Sequence, residues 1–560
     1  MTTLTFNGTD RRKIFRLGDT GIFLALTTIV CIPIFLFLVF PLFGILVRSL
    51  STDDGYGVGN FTSTMSTLRF WLLVRNSLGV SFTTMLITVP LAYAFAYALQ
   101  RARIPFKPFL RLAVLTPLFA PSLVQAQGLI LLLGRNGALN RFLGFELEIY
   151  GFYGIAIANA LYNFPYAFLI LSAALAIADA RTYESAEVLG ARPWRIFRTV
   201  TIPATRYGLV VTCFIVFTLS MTDFGNPIVI GGNFSVLATE IYNQVIGQAQ
   251  FALGAVIGIV LLIPAVLGKS LERMVSKRQH ALVTAQSRNL QIRPALGRDI
   301  AASVFAYAMV LTVLSIPLIV LLASFVRLWP YNMTLTLRHY QFDVQNGTAP
   351  LWNSVYISLA TATLGVLVST LAAIVVHKFR NSLTGFVSFL AILPAAVPGM
   401  VLGLGYVFFF NNPDNPLNFL YGSFALLVIL SVYYNHSQAF LITSTSLKQI
   451  GATFDEASTM LGGSALTTLR RVTIPLIWPT LLGVWVFYFM RTMVSLSAII
   501  FLITPATQVA SVSVLQLSDR GAINQAAAFS VCIMGIVIGC LLLVRGVLWL
   551  FGAKSVALIR

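Results

Sequence analysis

Charge is scarce in this chain. Asp, Glu, Lys and Arg make up only 10% of its 560 residues, 58% are hydrophobic, and the mean hydropathy is +0.86. Soluble domains carry roughly 25% charged residues, so a water-soluble enzyme or binding module is excluded. Acidic residues are the scarcer sign, 18 against 37 basic, for a formal net charge of +19. That surplus does not point to nucleic acid. The basic residues stand in short groups just outside apolar runs, as in Arg11-Arg12-Lys13 with Arg16, and Arg101, Arg103 and Lys107. This is the bias of cytoplasmic loops in membrane proteins, and no basic domain laced with aromatics is present. Cysteine is nearly absent. Cys31, Cys213, Cys532 and Cys540 lie in apolar segments without a C-x-x-C pair, which leaves neither a disulfide frame nor a zinc site. A nucleotide phosphate loop is missing too: Gly268-Lys269-Ser270 has Ile263 where the first glycine belongs.

What the chain has in abundance is apolar runs of about 18 residues or more, each able to cross a bilayer as a helix. They fall near 20–48, 74–99, 110–134, 150–178, 206–231 and 251–270, then 300–325, 353–377, 384–410, 421–447, 475–503 and 524–550. The first is too long for a signal-peptide core and reads as a retained span. The expected fold is therefore an all-α membrane protein of about twelve spans, six per half. An even number gives both halves one orientation. The basic N-terminus, the loops at 100–109, 179–205 and 448–474, the linker Lys269–Arg298 and the Lys378–Arg380 turn then face the cytoplasm. Loops 50–72 and 232–250, poorer in Lys and Arg, face outward, and both termini are expected inside.

The halves repeat each other. Glu184-Ser185-Ala186-Glu187-Val188-Leu189-Gly190, with Pro203 beyond it, recurs as Glu456-Ala457-Ser458-Thr459-Met460-Leu461-Gly462 and Pro475, every position 272 residues on. Tyr162-Asn163 matches Tyr434-Asn435 at the same offset, whereas Asn76-Ser77 matches Asn353-Ser354 at 277. Pro117 and Pro121 match Pro394 and Pro398, also at 277, so the first half carries a longer loop between its third and fourth spans. Paired prolines strip backbone donors from a membrane helix, which neighbours or a water-filled cavity must make good. They are candidates for a pathway-lining bend. Gly399 and Gly403 form a G-x-x-x-G pair suited to close helix packing.

Each repeated loop combines an acid, small residues, a Leu-Gly stop and a basic stretch ending in proline. Small residues admit a partner's groove, and the glycine turns the chain sharply. Arg192, Arg195 and Arg198, and Arg470-Arg471, suit the headgroup level, and Pro203 and Pro475 can open the next helix. A single copy would equally suit a helix lying on lipid; two copies with one internal spacing favour a docking element.

The loop resembles the E-A-A-x-x-x-G motif of permease subunits of type I binding-protein-dependent ABC importers, with mild departures at Ser185 and Ser458. The resemblance covers roughly 72–272 and 349–546 and looks like a fused form, each half preceded by an extra helix. The expected domains are 72–272 and 349–546, with 1–71 before them, 273–348 between them and 547–560 as a tail. The resemblance implies that Glu184, Ser185, Ala186, Gly190, Glu456, Ala457, Ser458 and Gly462 couple to an ATPase. It also implies two copies of that cytoplasmic subunit, which binds the ATP; a periplasmic substrate-binding protein; and a bacterial inner membrane. No cofactor or metal is expected on the chain itself, and no catalytic residue.

Among fused permeases, stretches such as Asp223-Phe224-Gly225-Asn226-Pro227, Trp329-Pro330-Tyr331-Asn332 and Ala395 to Gly399 look closer to the 2-aminoethylphosphonate group than to the ferric iron group. Intramembrane charges add a physical hint. Asp223 and Arg491 sit on equivalent helices, Asp223 matching Ser495 and Arg491 matching Leu219. An opposite-signed pair could escort a zwitterion. Equally, Arg491 could pair with neighbours and Asp223 cap a helix, and His436 suits an interhelical hydrogen bond better than a ligand role. No dense Asp, Glu or Tyr cluster within the spans suggests ferric ligands. A phosphonate is thus the first expectation and ferric iron the alternative. An ion-coupled secondary transporter is a remote third, since it needs no paired loop.

Overall fold

The computed structural model describes residues 17–52, 55–144, 148–176, 180–280, 294–342, 347–378 and 383–550. Arg11, Arg12, Lys13, Arg16, Arg380, linker residues 281–293 and tail residues 551–560 lie outside the described residues.

The first half opens with α1 (Phe23–Leu50) and α2 (Leu68–Arg101). Thr67 begins α2 by accepting the Phe70 N–H on its hydroxyl, which satisfies one orphan donor of the first turn. The chain continues through α3 (Lys107–Val114), α4 (Leu123–Leu133), α5 (Phe152–Ala176) and the short α6 (Ala180–Val188). Then follow α7 (Pro193–Thr222), two short helices α8 (Gly225–Ile230) and α9 (Leu237–Tyr242), and α10 (Phe251–His280). The second half repeats the order. Its elements are α11 (Leu296–Phe325), α12 (Ala349–Lys378), α13 (Thr384–Ile392), α14 (Gly399–Phe410), α15 (Phe424–Gln449), α16 (Ala452–Met460), α17 (Leu466–Met493), α18 (Ala510–Asp519) and α19 (Ile523–Leu550). Ser423 caps α15 as Thr67 caps α2. The strands described are two small antiparallel hairpins, one after each half's first helix: Ser51–Thr52 with Gly55–Tyr56, and Val326–Leu328 with Asn332–Leu335.

Ten described helices are long and apolar enough to cross a membrane, or eleven if a pair bent by 107° at 384–410 counts as one. The third expected span of each half is broken rather than one continuous helix. The cause is the repeated proline pair. A 3₁₀ turn at Thr116–Phe119 separates α3 from α4, and one at Leu393–Ala396 separates α13 from α14. A proline lacks the N–H that would continue the ladder. The expected spans at 206–231 and 475–503 begin and end earlier, since their helices run Pro193–Thr222 and Leu466–Met493 and the remainder folds into the short segments beyond.

The extra helices change sides. α1 packs on α12, α13 and α14 of the second half as well as on α10 of its own; α11 packs on α2, α3 and α4 of the first half as well as on α19. Repeat-equivalent glycines make room for this. A β-carbon on Gly128 of α4 would come within 2.6 Å of Ile316 Cγ2 in α11, and one on Gly405 of α14 within 2.6 Å of the Pro41 carbonyl in α1. The Tyr406 hydroxyl donates to the Phe37 carbonyl at 2.5 Å, and the Trp329 indole donates to the Leu131 carbonyl at 3.1 Å. Small residues let membrane helices approach closely, and polar bonds then hold them.

The repeated Asn-Ser pairs have a structural job. Ser77 Oγ accepts the Leu237 N–H opening α9, and Ser354 Oγ accepts the Ala510 N–H opening α18, both at 2.8 Å. Asn76 donates to the Ser235 carbonyl, and Asn353 to those of Ala506 and Gln508. Each pair caps its half's short far-side helix from another helix.

Candidate functional site

The repeated loops fold alike. α6 and α16 each stop at a glycine with left-handed backbone, φ +73° at Gly190 and +79° at Gly462. Behind the stop, the Ala191 N–H reaches the Ala186 carbonyl at 3.0 Å, and the Gly463 N–H reaches the Ser458 carbonyl at 2.9 Å. This six-residue closure satisfies carbonyls the helix end would leave bare. Glu184, Ser185, Glu456 and Ala457 are exposed, while Ala186 and Ser458 are half-buried. At the tips, Val188 and Leu189 are 87% and 85% exposed, and Met460 and Leu461 are 89% and 88% exposed. Each loop thus carries a matching pair of bare apolar side chains at its tip.

Each loop is also tied to the helix that begins its half's core. The Arg101 guanidinium, at the end of α2, lies 4.2 Å from the ring centre of Tyr183 in α6. Lys378, at the end of α12, bonds both carboxylate oxygens of Asp455 in α16 at 2.5 and 2.6 Å. Lys378 follows Arg101 by 277 residues and Asp455 follows Tyr183 by 272, so the positions correspond while the chemistry differs. The charge pattern marks Arg101 and Lys378 only as loop residues. Pro203 and Pro475 stand second in their helical segments, directly after π-helical turns at Phe197–Thr201 and Leu469–Thr473, inside continuous helical runs.

The second assembly is interior. Arg491, in the last turn of α17, donates from Nη1 to the Tyr166 hydroxyl of α5 at 3.0 Å, across the two halves. It bonds Tyr162 as well, and Tyr434 is within electrostatic reach. Tyr162 in turn senses both Arg491 and Asp223. The expectation of no tyrosine cluster within the spans is thus corrected: Tyr162 and Tyr166 of α5 and Tyr434 of α15 gather around one arginine. The one advance signal was Tyr162 with Tyr434 in the repeat, plus the four-residue spacing that puts Tyr162 and Tyr166 on one helix face. Tyr162, Tyr166, Asp223, Tyr434 and Arg491 are all half-buried, whereas Asn163, Phe164, Pro165, Phe224 and Thr492 beside them are buried.

Asp223 ends α7 and caps the chain beyond it. Its Oδ2 accepts the Asn226 N–H at 3.0 Å, and Ser122 also bonds it. It makes no ion pair with Arg491. Ser495, its repeat partner, is buried, with its carbonyl accepting from Ser511 at 2.6 Å. Pro117, Pro121, Pro394 and Pro398 are all buried, and their carbonyls accept backbone bonds that restart the chain past each bend. They shape the bends without presenting a surface. Gly399 and Gly403 do pack closely, against Ser497 and the Ala498 carbonyl. His436 departs from expectation, since neither ring nitrogen has a partner and the imidazole stacks on Phe440. Among the described residues no group of three or more His, Cys, Asp or Glu could hold a metal ion.

A duplicated helical bundle with broken third spans, exchanged first helices and repeated loops defines a two-domain membrane permease. Residues 365–551 match the family described as binding-protein-dependent transport system inner membrane component. The chain is 31% identical over 535 residues to the ferric transport system permease protein FbpB of Actinobacillus pleuropneumoniae, covering 91% of this chain and 76% of that protein. A putative ferric transport system permease of Haemophilus influenzae is likewise 31% identical, over 88% of this chain and 79% of its own length. A putative 2-aminoethylphosphonate transport system permease, PhnV of Salmonella typhimurium, is 26% identical over 42% of this chain and 89% of its own. A crystal structure of a bacterial ABC transporter for alginate import aligns with a TM-score of 0.40 at 17% identity, over 48% of this chain and 98% of that one. The chain belongs to the family of inner membrane components of binding-protein-dependent transport systems, as a multi-pass permease of a bacterial ABC importer.

Proposed function

We propose that this chain is the fused permease of an ATP-driven importer that receives ferric iron from a periplasmic binding protein and passes it to the cytoplasm. The observation that carries the mechanism is the pair of equivalent loops, each with a left-handed glycine and a bare apolar tip. Two copies of a cytoplasmic ATPase dock there, one on α6 and one on α16. Both chain termini lie on that cytoplasmic side. ATP binding draws the two motor subunits together, the docked loops move with them, and the ties at Tyr183 and Asp455 hand the motion to α2 and α12. ATP drives the cycle only through its differential affinity for the two states of the bundle.

Iron is the first reading because the long matches, spanning both halves, are to proteins named as ferric permeases. A phosphonate is the second, favoured by Arg491, an intramembrane cation without a carboxylate partner among the described residues. The test is uptake of labelled ferric iron and, separately, 2-aminoethylphosphonate by cells carrying the permease with its ATPase and binding protein. Iron accumulation that disappears with the permease supports the first reading. Phosphonate accumulation alone replaces it with the second, and accumulation of neither rejects both substrates.

A further inference from the structure

We infer that Arg491, Tyr162, Tyr166 and Tyr434 form a site, shared by the two halves, for an oxyanion carried by the substrate. The inference rests on the importer reading for its role, and on geometry for its chemistry. A guanidinium stays protonated at any physiological pH, and placing one within a membrane segment is costly without compensation. Here its identified partners are phenol oxygens, which are neutral, and its Nε is buried without a partner. Asp223, the nearby carboxylate, is already engaged by the Asn226 N–H and Ser122. The positive charge is left for a ligand.

The tyrosines complete the chemistry. When a phenol oxygen accepts from Arg491, its own proton is directed elsewhere, so Tyr162 and Tyr166 retain O–H donors for a third party. Tyr434 stands by the other wall, where a β-carbon on Gly399 would come within 3.1 Å of its hydroxyl. Planar guanidinium donors beside phenolic O–H groups match a phosphonate, phosphate or carboxylate. All four side chains are half-buried among buried neighbours. The same field repels an uncomplexed trivalent cation. Ferric iron therefore passes as a complex whose oxyanion faces Arg491, and an organophosphonate would present the same group directly. The repeat supplies one such site: Leu219 occupies the equivalent position in the first half.

The test has two arms on the complete importer. In the first, the permease–ATPase complex in lipid nanodiscs is titrated into inorganic phosphate and methylphosphonate, and the ³¹P line broadening is measured. Broadening should fall at least fivefold in Arg491→Gln and two- to threefold in Tyr166→Phe, and be partly kept in Arg491→Lys. Equal broadening by the wild type and Arg491→Gln, or none by the wild type, overturns the site. In the second, cells are offered iron as its citrate or phosphate complex, and 2-aminoethylphosphonate. Arg491→Gln should lose at least tenfold of whichever uptake the wild type shows, at unchanged expression and membrane insertion; full uptake overturns the site. A wild type importing neither refutes the substrates proposed above, while the first arm still judges the site.

Discussion

The two halves share a backbone plan but fill it with different polar chemistry. In the first half a buried chain of hydrogen bonds runs from α4 to α2. The Ala126 N–H donates to Asn226, Asn226 to Asn159, Asn159 to Ser220 and Ser220 to Thr84. The equivalent positions of the second half are Ala498, Ser431, Thr492 and Thr361, and the three hydroxyls there have no partner. A swap at the bends shows how the repeat tolerates drift. Ser122 sits against Gly225 in the first half, and Gly399 against Ser497 in the second, the hydroxyl having changed sides. On the far side, Glu240 is buried and paired with Arg69 at 3.0 Å, where the second half has Ser513. The first half is thus tied internally by polar bonds. The second holds Arg491, bonded to phenol oxygens of the first. Duplication preserves backbone geometry, whereas each interior is free to specialise.

The comparison breaks most visibly at the loops, where the halves should behave alike. A Gly190→Trp, Gly462→Trp double variant should lose at least tenfold of uptake with membrane insertion unchanged; normal uptake would remove the docking assignment. Each single variant should be impaired, since left-handed backbone disfavours any side chain by about 1–2 kcal/mol and the new ring blocks the approach. The exchanged helices make a second symmetric prediction. Gly128→Leu and Gly405→Leu should each lower the melting temperature of purified permease and impair uptake, because each pushes a side chain into the other half's extra helix. An effect confined to one variant would show that only one helix is held by close approach.

The interiors should respond unequally. Asn226→Leu leaves the Ala126 N–H and Asn159 without their partner and should destabilise by about 1–3 kcal/mol, read from thermal unfolding in detergent. Ser431→Ala removes an already unpaired hydroxyl and should be near neutral; equal losses would refute the asymmetry. The stability effect at the ties is small. Lys378 and Asp455 are both partly exposed, so Lys378→Met should cost less than about 1 kcal/mol. Uptake should nonetheless fall, and the Lys378→Asp, Asp455→Lys exchange should recover part of it. Tyr183→Asp opposite Arg101 should function better than Tyr183→Ala, because it recreates in the first half the ion pair of the second.

Much of the plan was legible in the chain itself. Hydropathy and constant offsets revealed the helices, the duplication and the loops, because each depends on residues close in sequence. The prolines identified the third spans as unusual, but their apolar length concealed the break, since hydropathy does not register a missing N–H. Asn76-Ser77 and Asn353-Ser354 were visible as repeats without a role, because their capping partners lie about 150–160 residues away. The opposite-signed pair was legible as two charges, yet the folded chain engages Asp223 with its own loop and surrounds Arg491 with tyrosines.

Sequence alone therefore determined the membrane class, the two like halves and the paired loops, for periodicity and spacing are properties of the linear chain. Tertiary structure decided which half each extra helix embraces, how each loop is tied to its core, and what faces Arg491. Those outcomes depend on contacts between segments far apart in the chain, as between Tyr406 and Phe37, 369 residues apart. No local pattern encodes them, because close packing and burial select among partners only once the helices have assembled.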